Sequence, residues 1–282
     1  MKSYVIGLLT ALMLVVAGNT EAAPKRIKGS GNITSKQIEV GSFEAISASR
    51  AIEVKLVDLT QGKEGQVQVY ADDNIIDWIR AKVSNGVLHL TIDNELRTLS
   101  NIHVNIIVPT SGKLSKVKAT SAAEIKSEVR IVHKLVKIEA SSAAEIKGNV
   151  VAEECTIDVS SAGEYEGEVK SNMCSVDASS SGDVELTLTT QKCHLNASSA
   201  SEIEIRGAAL ECEADASSAA SINGEKFVVK KADVETSSAA DATISCLESF
   251  RGSASSGGDI TVYGKPKSVS NSASSGGSIQ IK

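Results

Sequence analysis

The stretch Ala140-Ser-Ser-Ala-Ala-Glu-Ile146 decides the fold, because near copies of it recur along residues 119–279. In each copy, small residues are followed by Glu, Asp or Ser and then, in nearly every case, by an apolar residue. Successive copies are 18 to 21 residues apart, counted between their first Ser or Thr residues, which are Thr120, Ser141, Ser160, Ser179, Ser198, Ser217, Ser237, Ser255 and Ser274. Helical repeats need about 33 residues or more, so this period predicts a β-solenoid.

Alternating apolar residues flank each copy and indicate short strands. Ile157 and Val159 precede one corner, for example, and Val184 and Leu186 follow the next. Small corner residues let the backbone bend while coils stack about 4.8 Å apart. Stacked Ser hydroxyls are expected to hydrogen-bond to the coils above and below or to free backbone groups of the corner. We predict an all-β, single-domain parallel β-helix, expected to be right-handed, with coils of about 19 residues.

The five cysteines stand where other coils carry hydrophobic residues. Four of them share one inward column at intervals of 19 residues: Cys155, Cys174, Cys193 and Cys212. The same column continues with Ala232 and Phe250, and the odd total argues against complete disulfide pairing. We expect buried free thiols and no zinc site, since CxxC spacing and His partners are missing.

The N-terminal part, residues 23–113, lacks the Ser motif but is rich in strand-like runs, such as 52–57 and 86–92. Asn85-Gly86 is a turn signal between two of them. Residues 72–82 begin with acidic residues and carry isoleucines at helical spacing, which predicts one short helix. We predict irregular first coils and a cap over one end, continuous with the regular repeats of residues 114–282.

Residues 1–22 have the composition of a secretory signal peptide. Lys2 supplies a positive charge, residues 5–17 form a short apolar run, and Thr20-Glu21-Ala22 is a small-x-small cleavage site. The later chain contains no run of about 20 apolar residues of the kind that crosses a membrane. We therefore predict export to the periplasm or cell surface, with no transmembrane segment in the mature chain.

Composition and motifs narrow the class of function. The formal net charge is −6 and no polybasic patch is present, so a nucleic-acid partner is not expected. The four histidines lie in unrelated contexts, and no G-x-S-x-G elbow places a nucleophilic serine. Aromatic residues, which carbohydrate-active enzymes use as sugar platforms, make up only 3% of the chain. We expect a protein with no catalytic site and no cofactor.

One outward face of the middle coils is acidic. The alternation places six carboxylates on it: Glu164, Glu166, Asp183, Glu185, Glu202 and Glu204. Like charges about 5 Å apart repel by roughly 1 kcal/mol even in water, so replacing Glu185 with Gln is expected to stabilise the protein. One interpretation is a solvated face that keeps the rod soluble. The other is a weak metal site, since carboxylate oxygens are what Ca²⁺ prefers.

The last copy, Ser274-Ser-Gly-Gly-Ser-Ile-Gln-Ile-Lys282, ends in strand-like residues with one charge. An unprotected β-edge binds other strands, so a homo-oligomer through this edge is one expectation, and fraying of the final coil is the other.

Several stretches together resemble a known bacterial family. They are Gly29-Ser-Gly-Asn-Ile33, residues 43–54, the run Asn85-Gly-Val-Leu-His-Leu-Thr-Ile92 and the Ser-Ser-Ala-x-Glu repeats. These resemble the family described as "putative auto-transporter adhesin, head GIN domain", which is common in Bacteroidota, and the resemblance covers nearly the whole mature chain. It implies a secreted or surface-exposed parallel β-helix with an adhesin-like role.

The sequence thus favours an exported, non-enzymatic β-helix that presents an adhesin-like or structural binding surface to a protein or glycan. Two alternatives of different class remain at this point. One is a carbohydrate-active β-helix enzyme, since such enzymes share the architecture. The other is an envelope scaffold that assembles through the open C-terminal edge.

Overall fold

The structure, a computed structural model, describes residues 25–282. The predicted signal peptide, residues 1–22, lies outside them. The described residues form strands and two short 3₁₀ turns, Leu59–Gln61 and Ile76–Trp78, and contain no α-helix. The strands are β1 (Lys25–Lys28), β2 (Ile33–Glu39), β3 (Ala45–Ser49), β4 (Glu53–Val57), β5 (Gln66–Asp72), β6 (Ile79–Ser84), β7 (Val87–Ile92), β8 (Leu96–Ser100), β9 (Val104–Pro109), β10 (Lys116–Thr120), β11 (Glu124–Ser127), β12 (Ile131–Ser141), β13 (Glu145–Lys147), β14 (Val150–Ser160), β15 (Glu164–Lys170), β16 (Met173–Ser179), β17 (Asp183–Ala197), β18 (Glu202–Ala216), β19 (Ser221–Thr236), β20 (Asp241–Ala254), β21 (Asp259–Tyr263), β22 (Ser268–Ala273) and β23 (Ser278–Ile281).

From β10 onward the chain is a β-solenoid of parallel, in-register coils. Each strand pairs with the equivalent strand one coil later, as Cys155 does with Cys174 and Asp183 with Glu202. The offset of about 19 residues is the sequence period, because only that offset keeps every apolar column facing inward. The predicted all-β solenoid is therefore confirmed.

Each corner is built from two consecutive residues in the left-handed conformation. Ser142 and Ala143 have φ of 58° and 57°, as the central residues of a type I′ turn do. The amide of Ala143 donates to the carbonyl of Ser161 in the next coil at 3.0 Å. Equivalent bonds link the corners of successive coils, and the Ser201 hydroxyl adds one of the predicted serine bonds, to the Ala178 carbonyl at 2.9 Å. The corner ladder itself is made by backbone groups. Parallel stacking accounts for this, because it aligns the amide of one turn with the carbonyl of the next.

The interior of the solenoid is filled by stacked columns of side chains. The predicted cysteine column runs in register and is buried, and all five cysteines are free. A hydrogen bond with Cys155 and burial both raise the pKa of the Cys174 thiol. Tyr165, also buried, donates its hydroxyl to the carbonyl of Gly148 at 2.9 Å, which satisfies the one polar atom of that side chain.

Regular coils begin earlier than the predicted boundary at residue 114. β3 pairs in register with β10, and β4 with β11, so residues 45–57 form a regular coil. Its corner has Arg50 and Ala51 in the left-handed conformation, with φ of 70° and 54°. Ala48-Ser-Arg-Ala-Ile-Glu-Val54 is thus a further copy of the repeat, in a part of the chain that the sequence analysis assigned to irregular first coils and a cap.

The cap consists of the chain between this first coil and β10, together with β1 and β2, which precede the first coil and pair with β8 and β5. Strands β7 and β9 pair in parallel with β3 and β4, on the side away from β10. The Arg50 guanidinium binds the carbonyls of Ile92 and Asp93 and the side chain of Asn94 at 2.8 to 3.2 Å, and also the carbonyl of Leu96. A corner side chain therefore holds the cap on the solenoid.

The predicted short helix over residues 72–82 is wrong in extent. Only Ile76–Trp78 forms a 3₁₀ turn, and the chain continues at once into β6. β6 pairs antiparallel with β7 around the Asn85-Gly86 turn. Ile75, Ile76 and Ile79 are all buried in the core without a helix, so tertiary contacts override the helical spacing of those residues.

Within residues 25–282, no helix has the length and hydrophobicity that crossing a membrane requires.

Candidate binding face

The second strand of every coil presents two outward residues, and the in-register stacking turns them into two continuous rows. The first row follows the small corner residue and runs through Ser35, Tyr70, Asn105, Glu53, Glu124, Glu145, Glu164, Asp183, Glu202, Ser221, Asp241, Asp259 and Ser278. The second row lies two residues further along each strand, except in β5, where the direction is reversed: Gln37, Gln68, Ile107, Lys55, Lys126, Lys147, Glu166, Glu185, Glu204, Asn223, Thr243, Thr261 and Gln280. We call this surface the two-row face.

The strand alternation explains why both rows point outward. The residue between the two rows is buried in the regular coils, as Ile125, Ile146 and Ile203 are. Successive side chains of a strand point to opposite faces, so its neighbours on either side must face solvent. The rows cross thirteen strands. At about 4.8 Å per strand, the face is about 58 Å long.

Basic residues pair with the carboxylates along much of the face. The Lys147 ammonium lies 2.9 Å from Glu145 and 2.8 Å from Glu166 of the next coil. These hydrogen bonds, first that to Glu166, raise the pKa of Lys147. Further along, Arg206 lies 2.6 Å from Glu185 and 3.2 Å from Glu204. The second row is therefore largely neutralised by its own neighbours.

The six carboxylates predicted as a metal site do come together. They line one groove of about 330 Å³ with Glu145, Lys147 and Tyr165. Three of the six, in the first row, have no ion pair among the described residues: Glu164, Asp183 and Glu202. Yet within residues 25–282 no group of three or more potential ligands is placed to hold one metal ion. The groove thus concentrates negative charge without gathering its oxygens around one point.

The sequence pattern predicted the carboxylates but not the continuation of the face into the cap. Tyr70, Gln68 and Asn105 extend the two rows beyond the first coil through β5 and β9. The local signal was available, because Ser49-Arg-Ala-Ile-Glu53 repeats the corner and places Glu53 in the first row. The antiparallel return of β5 and β2 had no such signal, since its register depends on strands far apart in sequence.

Other titratable groups serve the packing of the cap. Asp72 is fully buried and accepts the backbone amides of Gly31 and His103, each at 2.7 Å. Burial raises the pKa of Asp72, but these hydrogen bonds outweigh it and hold the pKa below its usual value. The ring Nδ1 of His103 lies 3.5 Å from the same carboxylate. In the described residues, no hydrogen bond joins a His ring to a Ser, Thr or Cys side chain, which is the pairing that nucleophilic catalysis uses.

The last coil leaves backbone groups exposed. β22 and β23 pair with β20 and β21 on one side, and within residues 25–282 no strand pairs with their other side. All six residues of β22 are exposed, including Val269.

Comparison with known families agrees with this architecture. A profile of the family described as "putative auto-transporter adhesin, head GIN domain" matches residues 42–168 and 163–266. The two matched stretches together span most of the chain, so the protein belongs to this family. The resemblance found in the sequence is thereby confirmed. No protein with a curated description matches the chain.

Three solved structures of similar fold come from Parabacteroides species. A protein of Parabacteroides merdae described as a "putative adhesin" is 16% identical, with a TM-score of 0.66 over 91% of this chain and 99% of that one. A "putative lipid binding protein" of Parabacteroides distasonis is 14% identical, with a TM-score of 0.61 over 92% and 100%. A "putative adhesin" of the same species is 16% identical, with a TM-score of 0.63 over 92% and 100%. At these identities the likeness shows the fold alone.

Proposed function

We propose that this protein is an exported, adhesin-like β-helix that binds a protein or a glycan through the two-row face and catalyses no reaction. The observation that carries the proposal is the regularity of the face, whose rows cross thirteen strands without a break. Side chains repeated about every 4.8 Å offer a partner many weak contacts at once. Weak contacts joined on one surface reinforce each other, which is how an adhesive surface holds a repetitive partner.

Export belongs to the same proposal. Two observations support it: the signal-peptide composition of residues 1–22 and the membership of an adhesin family. On this proposal the face lies in the periplasm or on the cell surface, where it can meet such partners.

The proposal can be tested by blocking the face at separate points. Single Asn105→Cys, Asp183→Cys and Thr261→Cys variants place a thiol at the cap, the middle and the far end of the face. The native thiols are buried, so a polyethylene glycol maleimide is expected to label only the new one. Binding of each labelled protein to arrays of glycans and matrix proteins is then compared with that of a labelled Glu235→Cys control, whose exposed side chain lies outside the face.

Loss of binding on labelling at one or more face positions, with binding kept in the control, supports the proposal. It is overturned if the unlabelled protein binds nothing on the arrays or if binding survives labelling at all three face positions. Release of reducing ends from an array polysaccharide would instead favour the carbohydrate-active enzyme.

Self-association through the last coil is a second candidate, favoured by the unpaired side of β22 and β23. The amide of Ser274 points toward Ala254, so that of Asn271, three residues earlier, points to the open side. Asn271→Pro removes this amide without removing a bond of the ladder. If the edge assembles, light scattering will show a mass that grows with concentration in the wild type and remains monomeric in Asn271→Pro.

A further inference from the structure

A small cleft in the cap differs in chemistry from the rest of the two-row face. Its volume is about 250 Å³, and it lies where β2, β5 and β9 meet the 3₁₀ turn Leu59–Gln61. Its lining includes four glutamines and one tyrosine: Gln37, Gln61, Gln66, Gln68 and Tyr70. Ile107 and Pro109 supply apolar wall, and Lys63 is the one charged residue of the lining.

The position of Tyr70 is the first observation that indicates a ligand. Tyr70 is 40% exposed, which makes it the most exposed aromatic residue among residues 25–282. Large aromatic side chains bury most of their surface when nothing else requires their exposure. The most exposed aromatic ring of the described residues, that of Tyr70, thus lies in the glutamine-lined cleft.

Two of the four glutamine side chains interact with neighbouring carboxylates, and the other two have no hydrogen-bond partner among the described residues. The side-chain amide of Gln66 donates to Glu39, and the side chains of Lys55 and Gln61 both lower the pKa of Glu128. Gln37 and Gln68 face each other across β2 and β5, and the described residues give neither side-chain amide a hydrogen-bond partner. Each free amide offers two N–H donors and a carbonyl acceptor. The cleft therefore presents paired donors and acceptors beside an open aromatic face.

The wall of the cleft is formed by close backbone approach. A Cβ on Gly62 would lie 2.4 Å from Pro109 Cγ, so only glycine lets the turn after Gln61 close against β9. Asp58 caps that turn by accepting the amide of Thr60 at 2.9 Å. The turn is thus fixed in place, and with it the side of the cleft opposite Gln37.

We propose that this cleft binds a neutral saccharide, an inference that rests on the proposed function and names its ligand class at the cap end. The ring of Tyr70 packs against the C–H face of a pyranose. The amides of Gln37 and Gln68 hydrogen-bond to neighbouring hydroxyls, which act as both donors and acceptors, as amides do. An apolar platform with a few oriented polar groups is the usual composition of a small-molecule site.

Charge favours a neutral sugar over an acidic one. The lining carries one positive charge, Lys63, and the carboxylate of Glu39, which accepts from Gln66, adds a negative charge that offsets it. The remaining polar groups beside Tyr70 are neutral amides, which suit the hydroxyls of a neutral sugar. An extended peptide is the other ligand that the region could take, by adding to the open side of β2. Such a peptide would bind through backbone groups and would not need the Tyr70 ring.

The test is saturation-transfer NMR on the purified full chain with a panel of neutral methyl glycosides (glucoside, galactoside, mannoside), each at about 10 mM, where weak single-site binding is detectable. Glucuronic acid serves as the charged comparator. Tyr70→Ala and the Gln37→Ala/Gln68→Ala double variant remove the platform and the amides. Gln280→Ala, at the far end of the second row, is the matched control, and circular dichroism verifies that each variant is folded.

The expected result is transfer from the wild type to at least one neutral glycoside, weakened about tenfold or more in both cleft variants and unchanged in Gln280→Ala. Transfer that is equal in wild type and Tyr70→Ala overturns the inference, as does transfer to glucuronic acid alone or to no glycoside. In those cases the proposed function is decided separately by blocking at the middle and far positions of the face. Array binding to peptides that survives Tyr70→Ala identifies strand addition to β2 instead.

Discussion

The amide of Ala143 donates to the carbonyl of Ser161 one coil later at 3.0 Å, and both residues have a left-handed backbone. This relationship explains why the repeat uses Ser, Ala and Gly at its corners. A Cβ in the left-handed region costs about 1 to 2 kcal/mol, and a β-branched side chain there costs more. The ladder of corner hydrogen bonds offsets that strain once per coil.

The first prediction follows from this strain. Ala143→Gly relieves the left-handed Cβ and is expected to raise the free energy of unfolding by about 0.5 to 1 kcal/mol, after the added flexibility of the unfolded chain is allowed for. Urea unfolding measures the change. Ala208→Gly, at an exposed strand position with ordinary φ, is the matched control and is expected to lower stability by about 0.5 to 1 kcal/mol. Changes of the same sign in both variants would show that backbone strain does not govern the corner.

The regular part of this fold could be predicted because local pattern and global register coincide. An offset of one coil brings every inward residue onto its equivalent, so the cysteine column of Cys155 and Cys174 could be read directly from spacing. The cap could not be read in this way. β5 and β2 pair antiparallel across residues far apart in the chain, and the isoleucines around Ile76 fit either a helix or a strand until their partners are known.

The candidate site was predicted in part for the same reason. The carboxylates from Glu164 to Glu204 repeat with the coils, so the alternation placed them on one face. The cleft around Tyr70 depends on the antiparallel register of the cap and on a 3₁₀ turn, neither of which repeats. Arg50 was also missed, because a large side chain at a left-handed corner departs from the Ser-Ser pattern and its carbonyl partners lie more than 40 residues away.

The second prediction separates two kinds of carboxylate on the two-row face. The sequence alone led us to expect that Glu185→Gln is stabilising, but Glu185 lies 2.6 Å from Arg206. We now expect Glu185→Gln to lower stability by about 0.5 kcal/mol, the usual worth of an exposed ion pair. Asp183→Asn, which removes a charge without a described partner, is expected to raise stability by a similar amount at low salt. Thermal unfolding at low and high salt checks both, and both effects should shrink in high salt.

The same variants test the predicted calcium interaction. Ca²⁺ takes six or more oxygen ligands at about 2.3 to 2.6 Å, and the described carboxylates are not gathered in that way. We expect Ca²⁺ and Mg²⁺ to raise the melting temperature equally, through screening, and less in Asp183→Asn. A saturable effect of Ca²⁺ that Mg²⁺ does not reproduce, lost in Glu164→Gln/Glu202→Gln, would establish a specific site.

The third prediction concerns Glu139, which three lysines surround. Its carboxylate lies 2.8 Å from Lys116, 3.0 Å from Lys118 and 2.9 Å from Lys137. Burial raises the pKa of Glu139, but the hydrogen bonds from Lys116, Lys137 and Lys118 outweigh it and lower the pKa to about 2. A pKa below that of the unfolded chain means that the folded state gains stability above the ordinary value of 4.5 and loses it as pH falls toward 2.

Glu139→Gln is therefore expected to cost about 2 kcal/mol at pH 7 and to reduce the loss of stability on acidification below the ordinary pKa. Urea unfolding across this pH range provides the measurement. Glu154 is an exposed carboxylate with no ion pair among the described residues, so Glu154→Gln serves as the control. This variant should lose stability at acidic pH to the same extent as the wild type. If Glu139→Gln and wild type lose stability in parallel as the pH falls, the lysine cluster does not hold this carboxylate ionised.

The fourth prediction concerns the interior thiols. All five cysteines are free and buried, and a hydrogen bond with Cys155 together with burial raises the pKa of Cys174. Because the thiolate is the reactive form, the folded protein is expected to react negligibly with an aromatic disulfide reagent at mildly alkaline pH. After denaturation in guanidinium, five thiols should react. Fewer than five would reveal a disulfide in the purified protein, and rapid reaction of the folded protein would contradict the packing of the column.

Substitutions in the column extend the same argument. Ala232 occupies this column in a later coil, so Cys174→Ala keeps an apolar interior and is expected to cost about 1 to 2 kcal/mol through the lost sulfur contacts. Cys174→Ser has nearly the same shape as the wild type but buries a hydroxyl, whose desolvation costs about 1 to 3 kcal/mol if it finds no acceptor. Serine should therefore be the more damaging replacement in urea unfolding. The opposite order would mean that the column is hydrated, because only water inside the solenoid could satisfy the serine hydroxyl better than the packed interior satisfies an alanine.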